Sequence, residues 1–309
     1  MLSLQFIRDN PDAVREAAAA KNAPLDLDAL LALDGETRAL KTRIDELRRQ
    51  RNEISAGFKS ADPAERPALG ARAKAMGAEA GEAEAALAEA QAGLDALLLR
   101  VPNIPWEGAP IGPDESANVV VRTEGAPPRF DFTPRDHVEL IEMNDWADLA
   151  RITQVAGSRT YCLKGRLALL EQALMFWAAS EIAAGGFTPI TVPALARPQA
   201  FVGTGHFPGH EEEAYAIPAD GLYLAGTGEI ALTSLHSGEI LEADKLPILY
   251  AGFSPCFRRE AGSAGRDVRG LLRVHQFYKL EQYVICEDDE ALSAEWHARL
   301  LANAERLLQ

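Results

Sequence analysis

The sequence predicts an α+β protein in two parts: an antiparallel helical hairpin drawn out as a coiled-coil arm over residues 1–103, and a sheet domain flanked by helices over residues 119–309, with 104–118 as linker. Three observations lead there. Two stretches repeat small and apolar residues at heptad spacing on either side of a Pro-containing break. A Pro- and Gly-bearing stretch follows them. Beyond it, short apolar runs alternate with helical ones, the pattern of a mixed sheet with helices around it.

A chain of 309 residues with 47% hydrophobic content can bury a sizeable core and suggests about two domains. Its opening, with Arg8, Asp9, Asp12, Arg15 and Glu16 among apolar neighbours, reads as one amphipathic helix and lacks the unbroken apolar core of a signal peptide. From Leu33, the positions Leu33, Thr37, Leu40, Ile44, Leu47, Arg51, Ile54 and Phe58 advance by alternating steps of four and three. A second register runs through Leu69, Ala73, Met76, Ala80, Ala83, Leu87, Ala90, Leu94, Leu97 and Val101, after a loop holding Pro63 and Pro67. The alanines favour close helix approach, and at about 1.5 Å per residue each arm reaches roughly 40 to 50 Å, so the hairpin is expected to project.

Charge says toward what. The net charge is -15, yet from Arg38 to Lys74 there are ten Lys or Arg against five Asp or Glu. A basic arm on an acidic body points to a polyanion gripped by the arm, with Arg38, Lys41, Arg48, Arg49, Arg51, Lys59 and Arg72 as candidate contacts.

After the arm, Val101-Pro102-Asn103-Ile104-Pro105 and the stretch to about Ser116 read as linker, Val119-Val120-Val121 as the first strand, Leu167 to Ala184 as a helix and Asp289 to Leu308 as an amphipathic helix. Cys162, Cys256 and Cys286 are too widely spaced for a zinc site or a disulfide framework, and are expected as small buried side chains in a reducing cytosol. No run of apolar residues approaches a membrane span.

The densest chemistry lies between residues 253 and 283. Phe257-Arg258-Arg259-Glu260 ends one apolar run and His275-Gln276-Phe277-Tyr278-Lys279-Leu280-Glu281 opens another, with a Gly-containing loop between. With a period of two, an antiparallel hairpin places Arg258 and Glu260 with His275, Phe277, Lys279 and Glu281 on one surface, while Arg259 faces away. Phe277 and Glu281 then lie about 13 Å apart, the reach of an aminoacyl adenylate. Such a surface suits amino-acid activation: the attacking carboxylate is already an anion, so catalysis reduces to alignment and charge neutralisation. Arg258 offers a permanent planar fork, Phe277 a plate for adenine, and Glu281 an acceptor for a polar side chain.

The segment from Phe253 to Gln282 resembles motif 2 of the bacterial seryl-tRNA synthetases, class II aminoacyl-tRNA synthetases. The likeness runs through Phe-Arg-x-Glu at 257–260, Glu260-Ala261-Gly262-Ser263, Asp267-Val268-Arg269-Gly270-Leu271 and Arg273-Val274-His275-Gln276-Phe277. Gly203-Thr204-Gly205-His206-Phe207-Pro208 also resembles a family segment, Thr227-Gly228-Glu229 the Thr-x-Glu signature that contacts serine, and Gly186-Phe187 with Pro193 the motif 1 of the dimer interface. The family usually has Ala where Gly228 stands; in an extended triplet Gly228 points away from Thr227 and Glu229, so the change is expected to cost backbone rigidity more than chemistry.

The resemblance implies an antiparallel class II sheet in the second domain, and a serine–tRNA ligase: ATP-dependent formation of seryl adenylate, then transfer to tRNA(Ser) and, by family, tRNA(Sec). It implies a cytoplasmic homodimer with no membrane or DNA partner, ATP and Mg2+ as cofactors, and an arm that grips the long variable arm of the tRNA through shape and backbone. Carried over by position, Arg258 bridges the serine carboxylate and the α-phosphate; Thr227, Gly228, Glu229 and Glu281 hold serine. Glu260 takes the adenine amino group, Arg273 the outer phosphates and Phe277 the adenine face. Val274 lines the nucleotide site by its backbone, and Arg259 belongs to the motif by position.

Nothing up to Gln309 resembles motif 3, which in the family carries an arginine for the γ-phosphate, the usual Mg2+ carboxylate and further serine contacts. The sequence is therefore expected to be a C-terminally truncated form of a longer synthetase, with no metal ligands of its own. Two readings from other classes stand beside this one: a non-catalytic tRNA-binding paralogue, and a ligase charging a carrier protein, against which the long arm counts.

Overall fold

The computed structural model describes residues 2–58, 62–261 and 269–309. Lys59 and the motif 2 residues from Gly262 to Val268 lie outside the described residues. The chain divides into two compact units, 1–126 and 127–309.

In the first unit the expected single N-terminal helix is two, α1 (Leu4–Asp9) and α2 (Pro11–Ala20). Proline at the start of α2 cannot continue the preceding helix, because it lacks the N–H and clashes with the turn before it. The long helices α3 (Leu27–Gly57) and α4 (Arg66–Leu98) form the hairpin. The heptad seam is the buried one: Thr37, Ile44 and Leu47 on α3 and Ala80, Ala90 and Leu94 on α4 are all buried. Ile7, Val14, Leu27, Leu30, Leu94 and Val101 make a core at the end remote from the turn. There the carboxylate of Asp34, 2% exposed, accepts from Arg8 at 3.0 Å and from Arg38 at 3.1 Å. Toward the turn the seam opens, and Arg51 and Phe58 are exposed. Val119–Val121, expected as a strand, is irregular and exposed. β-branched residues raise strand propensity, but a strand needs a paired neighbour, and none meets this run among the described residues.

The second unit opens with α5 (His137–Asn144), α6 (Leu149–Ala156) and α7 (Gly165–Ala184). Then follow β1 (Thr188–Thr191), β2 (Leu195–Ala196), α8 (Pro198–Gly203), β3 (Tyr215–Ile217), β4 (Leu222–Leu224) and α9 (Glu229–Ser234). Strands β5 (Ile248–Phe257) and β6 (Gln276–Ile285) and helix α10 (Glu290–Leu308) complete it. β5 and β6 form an antiparallel hairpin from Ile248↔Ile285 to Phe257↔Gln276, and β1 joins β5 in parallel, so this sheet is mixed. A second, antiparallel sheet has the order β2-β4-β3. One face of the β5/β6 hairpin, with Leu249, Ala251, Leu280 and Val284, packs on Ile182 of α7 and on Trp296, Leu300 and Leu307 of α10. The other face is left for chemistry.

Two expectations are corrected here. Cys162 is exposed, and only Cys256 is buried, on β5; a lone cysteine takes its burial from its element, which composition does not reveal. Helix α7 is long and apolar enough, by length and composition only, to cross a membrane, and little of it is buried. The sequence reading missed this because Glu171 and Glu181 interrupt the apolar run without lowering its average enough.

Candidate active site

At the open end of the hairpin the ladder continues past the strands: the Arg258 N–H donates to the His275 carbonyl at 3.0 Å, and the Phe257 N–H donates to the Ala225 carbonyl at 2.9 Å. The second contact joins the hairpin to the chain leaving β4. A cavity of about 750 Å³ forms here, lined among others by Phe201, Phe207, Thr227, Arg258, Glu260, Arg273, Val274 and Phe277. One wall is built from α8 and the turn after it, where Phe201 stacks on Phe207 at 4.6 Å and both meet Tyr223. Each such aromatic pair contributes about 0.5–1.5 kcal/mol beyond its buried area, enough to fix the wall.

Arg258 lies over the Phe277 ring at 5.3 Å and donates from Nε to the Gly226 carbonyl at 3.2 Å. The guanidinium is thus oriented, with its remaining donors uncommitted by these two contacts. Glu260 does not follow the strand alternation expected of it: β5 ends at Phe257, and Glu260 sits in the left-handed region at φ 56°. It nevertheless lines the same cavity and pairs with Arg273 Nη1 at 3.2 Å. Arg259 is exposed and outside the cavity lining, and its N–H donates to the Glu213 carbonyl at 3.0 Å.

The serine-signature triplet is not extended. Gly228 is helical, at φ -65° and ψ -21°, and caps α9, which begins at Glu229. Helix α9 can lie against the hairpin because Gly252 on β5 has no Cβ; one there would stand 2.7 Å from Leu232. The consequence is a knot of polar groups around Glu281, which faces Gly252 across the ladder. The Thr227 hydroxyl donates to the Glu281 carboxylate, 2.8 and 3.0 Å from its two oxygens, and the Glu229 N–H donates to Oε2 at 2.9 Å. A Cβ at Gly228 would sit 2.8 Å from Glu281 Oε2 and 2.9 Å from Ser254 Oγ. The expectation that Gly228 points away from the site, at a cost to backbone rigidity more than to chemistry, is therefore corrected: its missing Cβ faces Glu281 and leaves space for the carboxylate.

The structure brings Arg258, Glu260, Arg273, Val274 and Phe277 around one cavity, with Thr227 at its edge linking to Glu229 and Glu281. Sequence reasoning missed Glu213, which lines the cavity and accepts the Ala261 N–H at 3.3 Å, and gave Lys279 no role. Glu213 belongs to an acidic run with no pattern to separate it from a solvated turn. Lys279 was visible only as a fourth residue on the functional face. Among the described residues there is no group of three or more His, Cys, Asp or Glu that could hold a metal ion. On the arm, Arg38, Lys41, Arg48, Arg49, Arg51 and Arg72 are exposed, but Arg48 pairs with Glu84 across the hairpin at 2.8 Å, Arg43 with Glu79, and Arg49 with Glu46 at 2.7 Å.

A mixed sheet whose antiparallel hairpin carries a fixed arginine over an aromatic ring, beside a cavity of nucleotide size, is the core of a class II aminoacyl-tRNA synthetase. The sequence model of the tRNA synthetase class II core domain (G, H, P, S and T) matches residues 215–309, and that of the seryl-tRNA synthetase N-terminal domain matches residues 1–105. The chain is 51% identical over 309 residues to the serine–tRNA ligase of Deinococcus radiodurans, covering all of this chain and 73% of the relative, and 43% identical to that of Thermobifida fusca, covering 72% of it. It superposes on the seryl-tRNA synthetase of Pyrococcus horikoshii complexed with ATP with a TM-score of 0.90 at 34% identity, over 100% of this chain and 74% of that one. The cytoplasmic serine–tRNA ligase of Naegleria fowleri in complex with AMP gives 0.82 at 27% identity, over 96% and 69%. The chain belongs to the seryl-tRNA synthetase family.

Proposed function

We propose that this chain binds L-serine and ATP in the cavity at the open end of the β5/β6 hairpin, forms seryl adenylate there, and serves tRNA(Ser) and, as in the family, tRNA(Sec). The observation that carries the reading is the pairing of two sub-sites along one strand. Glu281 is gripped by Thr227 and the start of α9, and Phe277, four residues away, lies under Arg258.

Glu281, Thr227 and Glu229 hold the amino acid, and Gly228 gives the carboxylate room. Arg258 spans the serine carboxylate and the α-phosphate, so that the anionic oxygen attacks phosphorus in line and pyrophosphate departs while the guanidinium balances the growing charge. No general base is needed. Adenine lies on Phe277 with its amino group toward Glu260 and its edge along the Val274 backbone, and Arg273 meets the outer phosphates. Because Arg273 and Glu260 touch, these roles require the triphosphate to fold back toward the adenine.

The hairpin α3/α4 takes the tRNA, with the exposed arginines on its basic stretch meeting phosphates. The protein is read as a cytoplasmic homodimer through motif 1. Leu169, Leu170, Leu174, Phe176 and Trp177 of α7 are all more than 40% exposed, beside β1, and a second copy is the covering that the motif 1 resemblance implies. Calorimetric titration with seryl sulfamoyl adenosine, a non-hydrolysable seryl-adenylate analogue, tests the site. Tight binding that Arg258→Ala removes is expected. Failure of the analogue to bind, with AMP still binding, would reduce the cavity to a nucleotide site without a serine pocket.

A further inference from the structure

Lys279 lies on β6 two residues before Glu281, on the same face of the strand, opposite Ser254. Its Nζ is 2.6 Å from Thr227 Oγ1 and 3.0 Å from Glu281 Oε1. An ammonium can only donate, and a threonine hydroxyl has one proton. Since Lys279 donates into Oγ1, and the Glu229 N–H approaches the same oxygen at 3.3 Å, the Thr227 proton has one outlet, the Glu281 carboxylate. The Glu229 N–H also donates to that carboxylate. Every hydrogen bond in the cluster therefore runs toward Glu281, with Lys279 and the Glu229 N–H as its sources. The residue at the centre, Thr227, is 6% exposed, so water has little chance to reset these directions.

We propose that Lys279 is a positioning residue that sets the specificity of the serine pocket: by fixing the direction of the Thr227 proton and lying against the Glu281 carboxylate, it holds that acceptor in place for the ligand's hydroxyl. The proposal rests on the serine reading of this pocket. A fixed acceptor rewards a ligand hydroxyl and gives nothing to a ligand that has hydrogen in the hydroxyl's place. Without the ammonium, the Thr227 hydroxyl can turn, the carboxylate loses its neighbouring cation, and the cluster can satisfy itself without the ligand's proton.

The test compares the affinities of seryl and alanyl sulfamoyl adenosine for the full chain, for Lys279→Met, which keeps the aliphatic stem, and for Lys279→Gln, which can still donate to Thr227 but can also accept. Wild type is expected to prefer the seryl compound strongly. Lys279→Met should lower that preference by about tenfold or more while AMP affinity stays unchanged, and Lys279→Gln should fall between. A preference kept in full by Lys279→Met overturns the proposal. So does a loss of AMP affinity in both variants, which would make Lys279 a support of the sheet. A wild-type protein that binds both compounds equally would instead overturn the serine reading beneath it.

Discussion

Arg273 and Glu260 are in contact at 3.2 Å, although one is expected at the outer phosphates and the other at the adenine amino group. They close the open end of the β5/β6 hairpin from its two sides, Glu260 after β5 and Arg273 before β6. A nucleotide that satisfies both must enter between them or beside them, with its phosphate tail doubled back.

The two residues should therefore separate in binding experiments. Arg273→Ala is expected to weaken ATP by about tenfold or more, the effect of removing a charge-assisted hydrogen bond, and to leave AMP nearly unaffected. Glu260→Ala should weaken both nucleotides. Equal losses of ATP and AMP in Arg273→Ala would place the guanidinium at the adenine instead.

Glu281→Ala removes the acceptor on which the Thr227 hydroxyl and the Glu229 N–H converge. Affinity for seryl sulfamoyl adenosine should fall by about tenfold to a hundredfold, and two donors are left without their partner, which lowers the melting temperature modestly. Affinity for tRNA, measured by gel shift, should be nearly unchanged, since the arm lies in the other unit. Parallel loss of both affinities would mean that Glu281 serves folding.

The parts of this site that were legible in the sequence are those written in consecutive residues. Strand periodicity placed Phe277, Lys279 and Glu281 on one face, and the ladder from Ile248↔Ile285 to Phe257↔Gln276 bears that out. The heptad positions Thr37, Ile44, Leu47, Ala80, Ala90 and Leu94 are buried as expected, because a helix seam is a local pattern. The triplet at 227–229 was not legible. Three polar or small residues carry no period, and α9, which Gly228 caps, meets the hairpin through residues 20 apart, Leu232 and Gly252. Glu260 failed for a related reason: alternation holds only inside the ladder, and the strand ends three residues earlier. Cross-strand polar contacts such as Lys279 to Thr227 depend on how two distant segments meet, which propensity does not encode.

The base of the motif 2 loop is held by α5, which sequence reading did not anticipate. Asp136 caps that helix in a capping box with Glu139 and pairs with Arg269 at 3.0 Å; the adjacent His137 Nε2 accepts the Leu271 N–H at 3.1 Å. The Glu139 N–H, and then Arg269, hold the Asp136 carboxyl below its ordinary range. A carboxyl depressed in the folded state stabilises above its unfolded pKa and loses that contribution as pH falls through the folded value. Melting temperature should therefore drop in acid, and Asp136→Asn should start lower at neutral pH and show a shallower drop. For His137, Gln keeps an acceptor near Nε2 and Phe does not, so His137→Phe should weaken ATP and His137→Gln should largely restore it. An ATP affinity that neither variant changes would disconnect α5 from the site.

On the arm, the arginines expected at the tRNA are partly engaged within the hairpin: Arg48 by Glu84 of α4, and Arg49 by Glu46 and Glu53 of its own helix. All of these side chains are at least a third exposed, and exposed pairs of this kind are weak, so a phosphate can displace the carboxylates. Replacing Arg48, Arg49 and Arg51 with alanine should weaken tRNA binding and reduce the slope of log affinity against log salt by about 0.7 to 0.9 for each phosphate no longer neutralised. The competing carboxylates give the opposite sign: Glu84→Gln and Glu79→Gln free Arg48 and Arg43 and should tighten tRNA binding, most at low salt. If the arginine variant binds tRNA as wild type does, and the glutamine variants change nothing, these cations are ordinary solvated surface and the polyanion is held elsewhere. If only the glutamine variants are silent, the internal pairs are too weak to compete, and the arginines still meet the phosphates.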